Sequence, residues 1–174
     1  SSGTSWNVQA SANSFNNQWI HIVGTADLVS GNAKIYLNGS IAATSTIVGS
    51  DISLGIGNTF SKVLGDRSIT LNRGYDGLLD NISIFDYSFT DQEVLNFYNS
   101  PCLNGNETGL IGYWNFEEGT GTTANDLTIN SNNGTIVNGA TYSTDVPSYN
   151  CCTSFPSVDI GSDTLSACGT NTNL

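Results

Sequence analysis

The stretch from Gly74 to Val94, GYDGLLDNISIFDYSFTDQEV, places a strand, a turn and a capped helix in direct succession. In an extended chain Leu78, Asp80, Ile82 and Ile84 share one face, and Leu79, Asn81, Ser83 and Phe85 share the other. A carboxylate among three aliphatic side chains is costly if it is buried alone. Asp80 is therefore expected to accept hydrogen bonds, to bind a cation, or to face water at a sheet margin. After the strand, Thr90-Asp91-Gln92-Glu93 forms a capping box, in which the Thr hydroxyl and the Glu carboxylate satisfy reciprocal backbone donors. Val94, Leu95, Phe97 and Tyr98 supply an apolar stripe, and Asn99-Ser100 before Pro101 ends the helix after about three turns. The helix is expected to cap one open end of a β core.

Upstream, Trp6 to Ala10 and Gln18 to Thr25 are strand-like. In the second of these, Trp19, His21 and Val23 alternate with Ile20 and Ile22, so that both faces are apolar, as in a central strand. Ala33, Ile35 and Leu37 then alternate with Lys34 and Tyr36, and Asn38-Gly39 supplies a tight hairpin turn into an antiparallel strand from Ser40 to Thr46. Ile52 to Ile56 reads as a short strand. Thr59 to Arg73 is rich in turn formers and reads as a loop holding one strand near Ser68 to Leu71. Downstream of the helix, Leu103 to Gly109 is a polar linker. Leu110 to Phe116 is a strand with Trp114 and Phe116 on one face, and short strands from Gly134 to Val137 and Ala140 to Ser143 are joined by Asn138-Gly139. Residues 148–174 carry few large apolar side chains and read as a linker running into the start of a further β module.

Bulk composition agrees with an all-β class. The 174 residues suffice for one core, and a surface made polar by Asn, Ser, Thr and Gly favours strands and turns. Only Lys34, Lys62, Arg67 and Arg73 are basic against fifteen acidic residues, and the net charge of -11 repels nucleic acid and anionic lipid. No apolar run is long enough to insert in a membrane, and SSGTSW has neither the basic flank nor the apolar region of an export signal. Cys102, Cys151, Cys152 and Cys168 lack zinc-knuckle spacing and fit an oxidising compartment. Four cysteines allow three pairings; a disulfide between neighbours is strained, so Cys151 and Cys152 are expected to take different partners, and of the pairings left we expect Cys102 with Cys151 and Cys152 with Cys168.

WIHIVGTADLVSGNAKIYLNGSIAAT, from Trp19 to Thr44, followed by the Gly74 to Val94 stretch, resembles the second half of a laminin-G-like, concanavalin-A-like jelly roll. Such domains recur in large secreted proteins of the Bacteroidota. Gly109 to Pro147 resembles the segment that opens such a domain, with its usual Asp-x-Ser-Gly-Asn-Gly-Asn run replaced by Asp126, Thr128, Asn130 and Asn132 at alternate positions. Here it follows the helix, the order of a permuted domain or of a second domain cut short. Since the first and last strands of a jelly roll are neighbours, closure by this later segment is expected. Residues 1–147 would then be the sandwich. The tail VDIGSDTLSACGTNT resembles repeated modules of gliding-type adhesins, which implies an extracellular, cell-surface location and export through the type IX secretion machinery.

The resemblance implies a structural calcium ion at Asp80, tying the closing strand to the opening one, with Glu117, Glu118 and carbonyls around Gly119 opposite. The competing reading has Asp80 accepting backbone amides or pairing with Arg73. Asp126 with its alternating oxygen side chains is a second calcium candidate, against a polar turn held by Asx hydrogen bonds. Tyr36, Tyr75 and Tyr87, with Phe60, Tyr142 and Tyr149, are the aromatics available for stacking on sugars, against the ordinary role of packing. Catalysis is not expected. Glycoside hydrolysis needs two carboxylates about 5–10 Å apart across one sugar, whereas Glu117 and Glu118 are adjacent and point to opposite faces. His21 reads as a core residue. The sequence thus points to a non-catalytic adhesion or glycan-binding module of a secreted surface protein, with a structural spacer as the alternative.

Overall fold

The computed structural model describes residues 8–11, 15–47, 63–65 and 75–148. Among them, β1 (Ile22–Asp27), β2 (Asn32–Leu37) and β3 (Ser40–Thr46) form one antiparallel sheet in that order. β4 (Ile82–Phe85) pairs antiparallel with β5 (Leu110–Trp114), α1 (Asp91–Asn99) lies between them in sequence, and β6 (Thr123–Ala124) pairs with β7 (Gly134–Thr135). Among the described residues the architecture is antiparallel β with a single helix, as expected.

The β2–β3 hairpin turns at Asn38 and Gly39, both at positive φ (49° and 76°), as a tight turn matched to the strand twist requires. Asn38 also extends the ladder. Its side chain accepts from the His21 amide at 2.9 Å, and its own amide donates to the His21 carbonyl at 2.9 Å. β2 is the central strand of this sheet, with Ala33 fully buried on one face and Tyr36 on the other. Among the described residues the strand after His21, expected to be central, lies to one side of β2. Among the described residues β1 pairs with β2 alone, begins at Ile22, and leaves Ile22 61% exposed.

The strand at the opening stretch is shorter than alternation implied. Asn81 has a φ of 50°, a left-handed conformation that Asn tolerates better than most residues. Alternation is broken there, and Asp80 stands before the ladder instead of sharing a face with Ile82 and Ile84. A second correction has the same cause. Phe116 has a φ of 57°, so β5 ends at Trp114 and Phe116 does not continue its face. Val8 to Ala10 carry no strand, and Ala140 to Ser143 carry none either; β7 takes β6 as its partner. The turn at Asn138 and Gly139 nevertheless forms, both at positive φ. Residues 52–56, 68–71 and 149–174, and with them Cys151, Cys152 and Cys168, lie outside the described residues. Cys102 is disulfide-bonded, and the expected pairing with Cys151 cannot be placed because that residue falls outside them.

The helix carries the expected capping box. Thr90 Oγ1 accepts from the Glu93 amide at 3.2 Å, and Glu93 Oε2 accepts from the Thr90 amide at 2.7 Å. Val94 is fully buried. Phe97 sits 5.5 Å from the His21 ring and 6.3 Å from Phe85, both edge to face, so one helical side chain touches both main sheets. Tyr98 covers the hairpin turn, where a Cβ on Gly39 would stand 2.9 Å from its ring.

Two predictions follow from this packing. Gly39→Ala combines a left-handed φ with a collision, and should cost about 2 kcal/mol or more by denaturant melting; in a Tyr98→Ala background the cost should shrink, because only the φ penalty is left. His21 packs on Phe97 and Tyr98 with its Nδ1 unpartnered, and burial lowers its pKa. The unfolded chain then binds the proton more readily. Stability is fully present above about pH 6.5 and declines as pH falls through the lowered folded value. Thermal melts should show the native protein losing stability between pH 7 and pH 5.5, and His21→Phe should lack that loss.

Candidate functional site

Three cross-strand pairs share one face of the β1–β2 ladder, running from apolar to polar: Val23 with Tyr36, Thr25 with Lys34, and Asp27 with Asn32. The helix start docks on this face. Tyr36 donates its hydroxyl to Asp91 Oδ1 at 2.7 Å, and Lys34 Nζ meets the same oxygen at 2.5 Å. Asp91 is the first helical residue, where a carboxylate also suits the positive end of the helix dipole. The Lys34 contact, then that of Tyr36, holds the Asp91 carboxyl below its ordinary range, and the same pairing raises the Lys34 ammonium. Burial, reinforced by Asp91, raises the Tyr36 hydroxyl.

Beside this contact lies a cleft of about 550 Å3, floored by Thr25, Asp27, Asn32 and Lys34 and walled by Ser88, Phe89 and Gln92. Asp27 Oδ1 accepts from the Val29 and Ser30 amides in an Asx turn, at 2.8 and 3.2 Å, and its carboxyl is also held low, the Ser30 side chain being the largest cause. A second groove, of about 760 Å3, runs between β1–β2 and β4. Phe85, Tyr87, Phe89 and Phe97 form its aromatic side. Tyr87 is 47% exposed, with its ring 5.1 Å from Phe89 and 5.7 Å from Phe85, so it is presented on a packed base. Gly109 (φ 77°) lies under it. A Cβ there would stand 2.6 Å from the Tyr87 ring, so only glycine admits this pose.

The residues expected to bind ligand are placed differently from one another. Tyr87 lines the groove. Tyr36 is 1% exposed with its hydroxyl engaged, so it is a packing residue and presents no face to a sugar. Tyr75 is 60% exposed, folds over Gly77 and lines neither cleft. Tyr142 donates to the Thr123 carbonyl; Phe60 and Tyr149 lie outside the described residues. Sequence reading missed Asp91, Gln92, Phe89, Thr25 and Asp27. A signal existed for two of them. Phe89 precedes the N-cap, where an apolar residue commonly anchors the chain entering a helix, and Lys34, one of four bases, sits on a half-buried strand and requires a carboxylate.

The expected calcium ligands fall into separate places. Asn81 joins Asp80 to β5: its Nδ2 donates to Asp80 Oδ2 at 2.8 Å, and its Oδ1 accepts the Tyr113 hydroxyl at 2.6 Å. Burial, then the charges of Asp80, Glu107 and Glu117, raise the Tyr113 hydroxyl. Glu118 Oε1 accepts from the Asn125 amide at 2.6 Å and Oε2 has no partner. Gly119 is exposed at a φ of 70°. Asp126 is buried and occupied: Oδ1 accepts the amides of Tyr113 and Thr128, both at 3.0 Å, and Oδ2 accepts that of Asn132 at 2.8 Å. That is the Asx arrangement. Burial pushes this carboxyl up, but the three amides more than offset it and leave its pKa lowered. Among the described residues, no three acidic, His or Cys side chains converge as a metal centre.

A laminin G family model, described as the concanavalin A-like lectin/glucanases superfamily, matches residues 1–95. With more than half of its length matched, the chain belongs to that superfamily. A presumed carbohydrate binding protein from Bacteroides ovatus, known from a crystal structure, is similar with a TM-score of 0.51 at 20% identity, over 68% of this chain and 34% of that one. At that identity the likeness is one of fold, and the chain spans about a third of that protein's length. No curated protein matches.

Asp126→Ala should leave three backbone amides without their acceptor and lower the unfolding free energy by about 3 kcal/mol, read by denaturant titration. The lowered pKa means that the contribution of Asp126 is present above about pH 3.9 and is lost as pH falls through the folded value. Asp126→Asn should therefore show a shallower loss of stability in acid than the native chain.

Proposed function

We propose that this concanavalin A-like chain is a non-catalytic glycan-binding module of a large secreted surface protein. The observation that carries the reading is Tyr87, half-exposed in the groove on a base of Phe85 and Phe89, with Asp86 and Ser88 beside it. A fixed aromatic face meets the C–H face of a sugar at little entropic cost, while neighbouring polar groups take its hydroxyls. Membership of a superfamily of lectins and glucanases supports the glycan-binding part of this reading.

Non-catalytic action is supported by the carboxylates of the polar cleft. A glycosidase needs one carboxyl kept protonated near neutral pH as the general acid. Asp27 and Asp91 are instead both held in their ionised form. The wider setting is a proposal from sequence: an oxidising, extracellular location from the cysteines, and export by the type IX machinery of the Bacteroidota from the tail. A structural calcium belongs to the same proposal. Asp80, with Glu117, Glu118 and carbonyls around Gly119 as the resemblance implies, would hold it in a site of modest affinity.

Binding to a glycan array by the intact chain, lost at least tenfold in Tyr87→Ala with the fold retained by circular dichroism, is the expected result. A chain that captures no glycan would leave the spacer reading in its place. For calcium, a chelator should lower the melting temperature of the native chain and leave that of Asp80→Ala unmoved; an unmoved native chain would remove calcium from the account.

A further inference from the structure

The aromatic groove and the polar cleft meet. Thr25, Asp27, Lys34, Ser88 and Phe89 line both of them, so Phe89 is a shared wall and not the end of either. Each compartment, at about 760 and 550 Å3, falls within the range of roughly 300–1,000 Å3 typical of small-ligand sites. Their chemistry is complementary. The groove offers aromatic and aliphatic faces, including Ile84 and Ile111; the cleft offers the amides of Asn32 and Gln92 and the hydroxyls of Thr25 and Ser88.

Charge narrows the class of occupant. Lys34 is the one cationic side chain lining either compartment among the described residues, and Asp91 already neutralises it. Asp27 and Asp86 are left as net negative charge, inside a chain whose overall charge is -11. A carboxylated or sulfated sugar would be repelled there. Neutral hydroxyls would find acceptors and amides.

We propose that the ligand is a neutral oligosaccharide of at least two sugar units, one stacked on Tyr87 in the groove and the next passing Phe89 into the cleft beside Asn32 and Gln92. The inference rests on the glycan-binding reading and adds to it the length and charge of the ligand. Removing the cleft amides would then cost only the second unit. Gln92 is suited to replacement, being an exposed helical residue whose side chain bonds Asn96 within its own helix.

The test is calorimetric titration of the full chain with neutral gluco-, manno-, galacto- and xylo-oligosaccharides of one to six units, and with matched oligouronates. For the sugar type that binds, affinity should rise at least tenfold from one unit to two or three. Asn32→Ala/Gln92→Ala should abolish that step, and the oligouronates should bind more weakly at low salt. Binding that ignores length, that favours uronates, or whose length step survives the double substitution would overturn the inference. If Tyr87→Ala still abolishes such binding, the module reading stands without the two-compartment site. Failure of every sugar to bind would overturn both.

Discussion

The orientation of the helix depends on Asp91. Two donors, Lys34 and Tyr36, stand two residues apart on β2 and therefore on the same face, and one oxygen at the helix start receives both. The ion pair is half exposed and contributes little as an ion pair. The stronger requirement comes from Tyr36, whose buried hydroxyl must find an acceptor. Asp91 fixes where the first helical turn sits, and the geometry of the helix then carries Phe97 to the junction of β1–β2 with β4 and Tyr98 to the hairpin turn.

The β4–β5 half solves a different problem. Among the described residues β4 and β5 form a two-stranded ladder, which would leave an edge of unpaired amides and carbonyls on β5, a template for pairing with another chain. Here the Asp126 to Asn133 loop covers that edge in place of a strand. Asp126 accepts the Tyr113 amide, Leu127 donates to the Tyr113 carbonyl at 2.8 Å, and Asn130 and Asn132 send side-chain amides to the Ile111 carbonyl. Trp114 closes over the same loop, with its indole N–H on the Asn132 carbonyl at 3.1 Å and its ring against Gly112. Thus the alternating Asp, Thr and Asn positions that resemble a calcium run act in this chain as an edge strip made of side chains.

How much of this was legible in the sequence depends on the range of the interaction. The capping box at Thr90 and the turn at Asn38-Gly39 are local: the residues that cause them adjoin those that respond, and both appear where expected. Breaks in alternation are also local but silent. Asn81 and Phe116 adopt left-handed conformations within runs whose apolar pattern looks unbroken, and so Asp80 and Phe116 were assigned faces they do not occupy. For Asp126 the sequence held both readings open, and only the arrival of the Tyr113 amide, thirteen positions away, favours hydrogen bonding. The site was least legible. Tyr36 and Tyr87 look equivalent as tyrosines near strands, yet one is sealed beneath a helix by a contact over 55 positions and the other is left open to the groove.

That same contact links architecture to ligand choice. Lys34 would be the natural handle for an acidic sugar, being the cation that lines the clefts among the described residues. By using it to seat the helix, the chain removes the positive potential that an anion would need, and the carboxylate that does so is the one that Tyr36 requires. Freeing Lys34 for a ligand would leave the Tyr36 hydroxyl to hold Asp91 alone, and the cleft wall formed by Phe89, Thr90 and Gln92 would lose one of the two bonds that position it. The preference for neutral ligands that we propose would therefore not be an independent feature added to this fold. It would be a consequence of how the helix is attached.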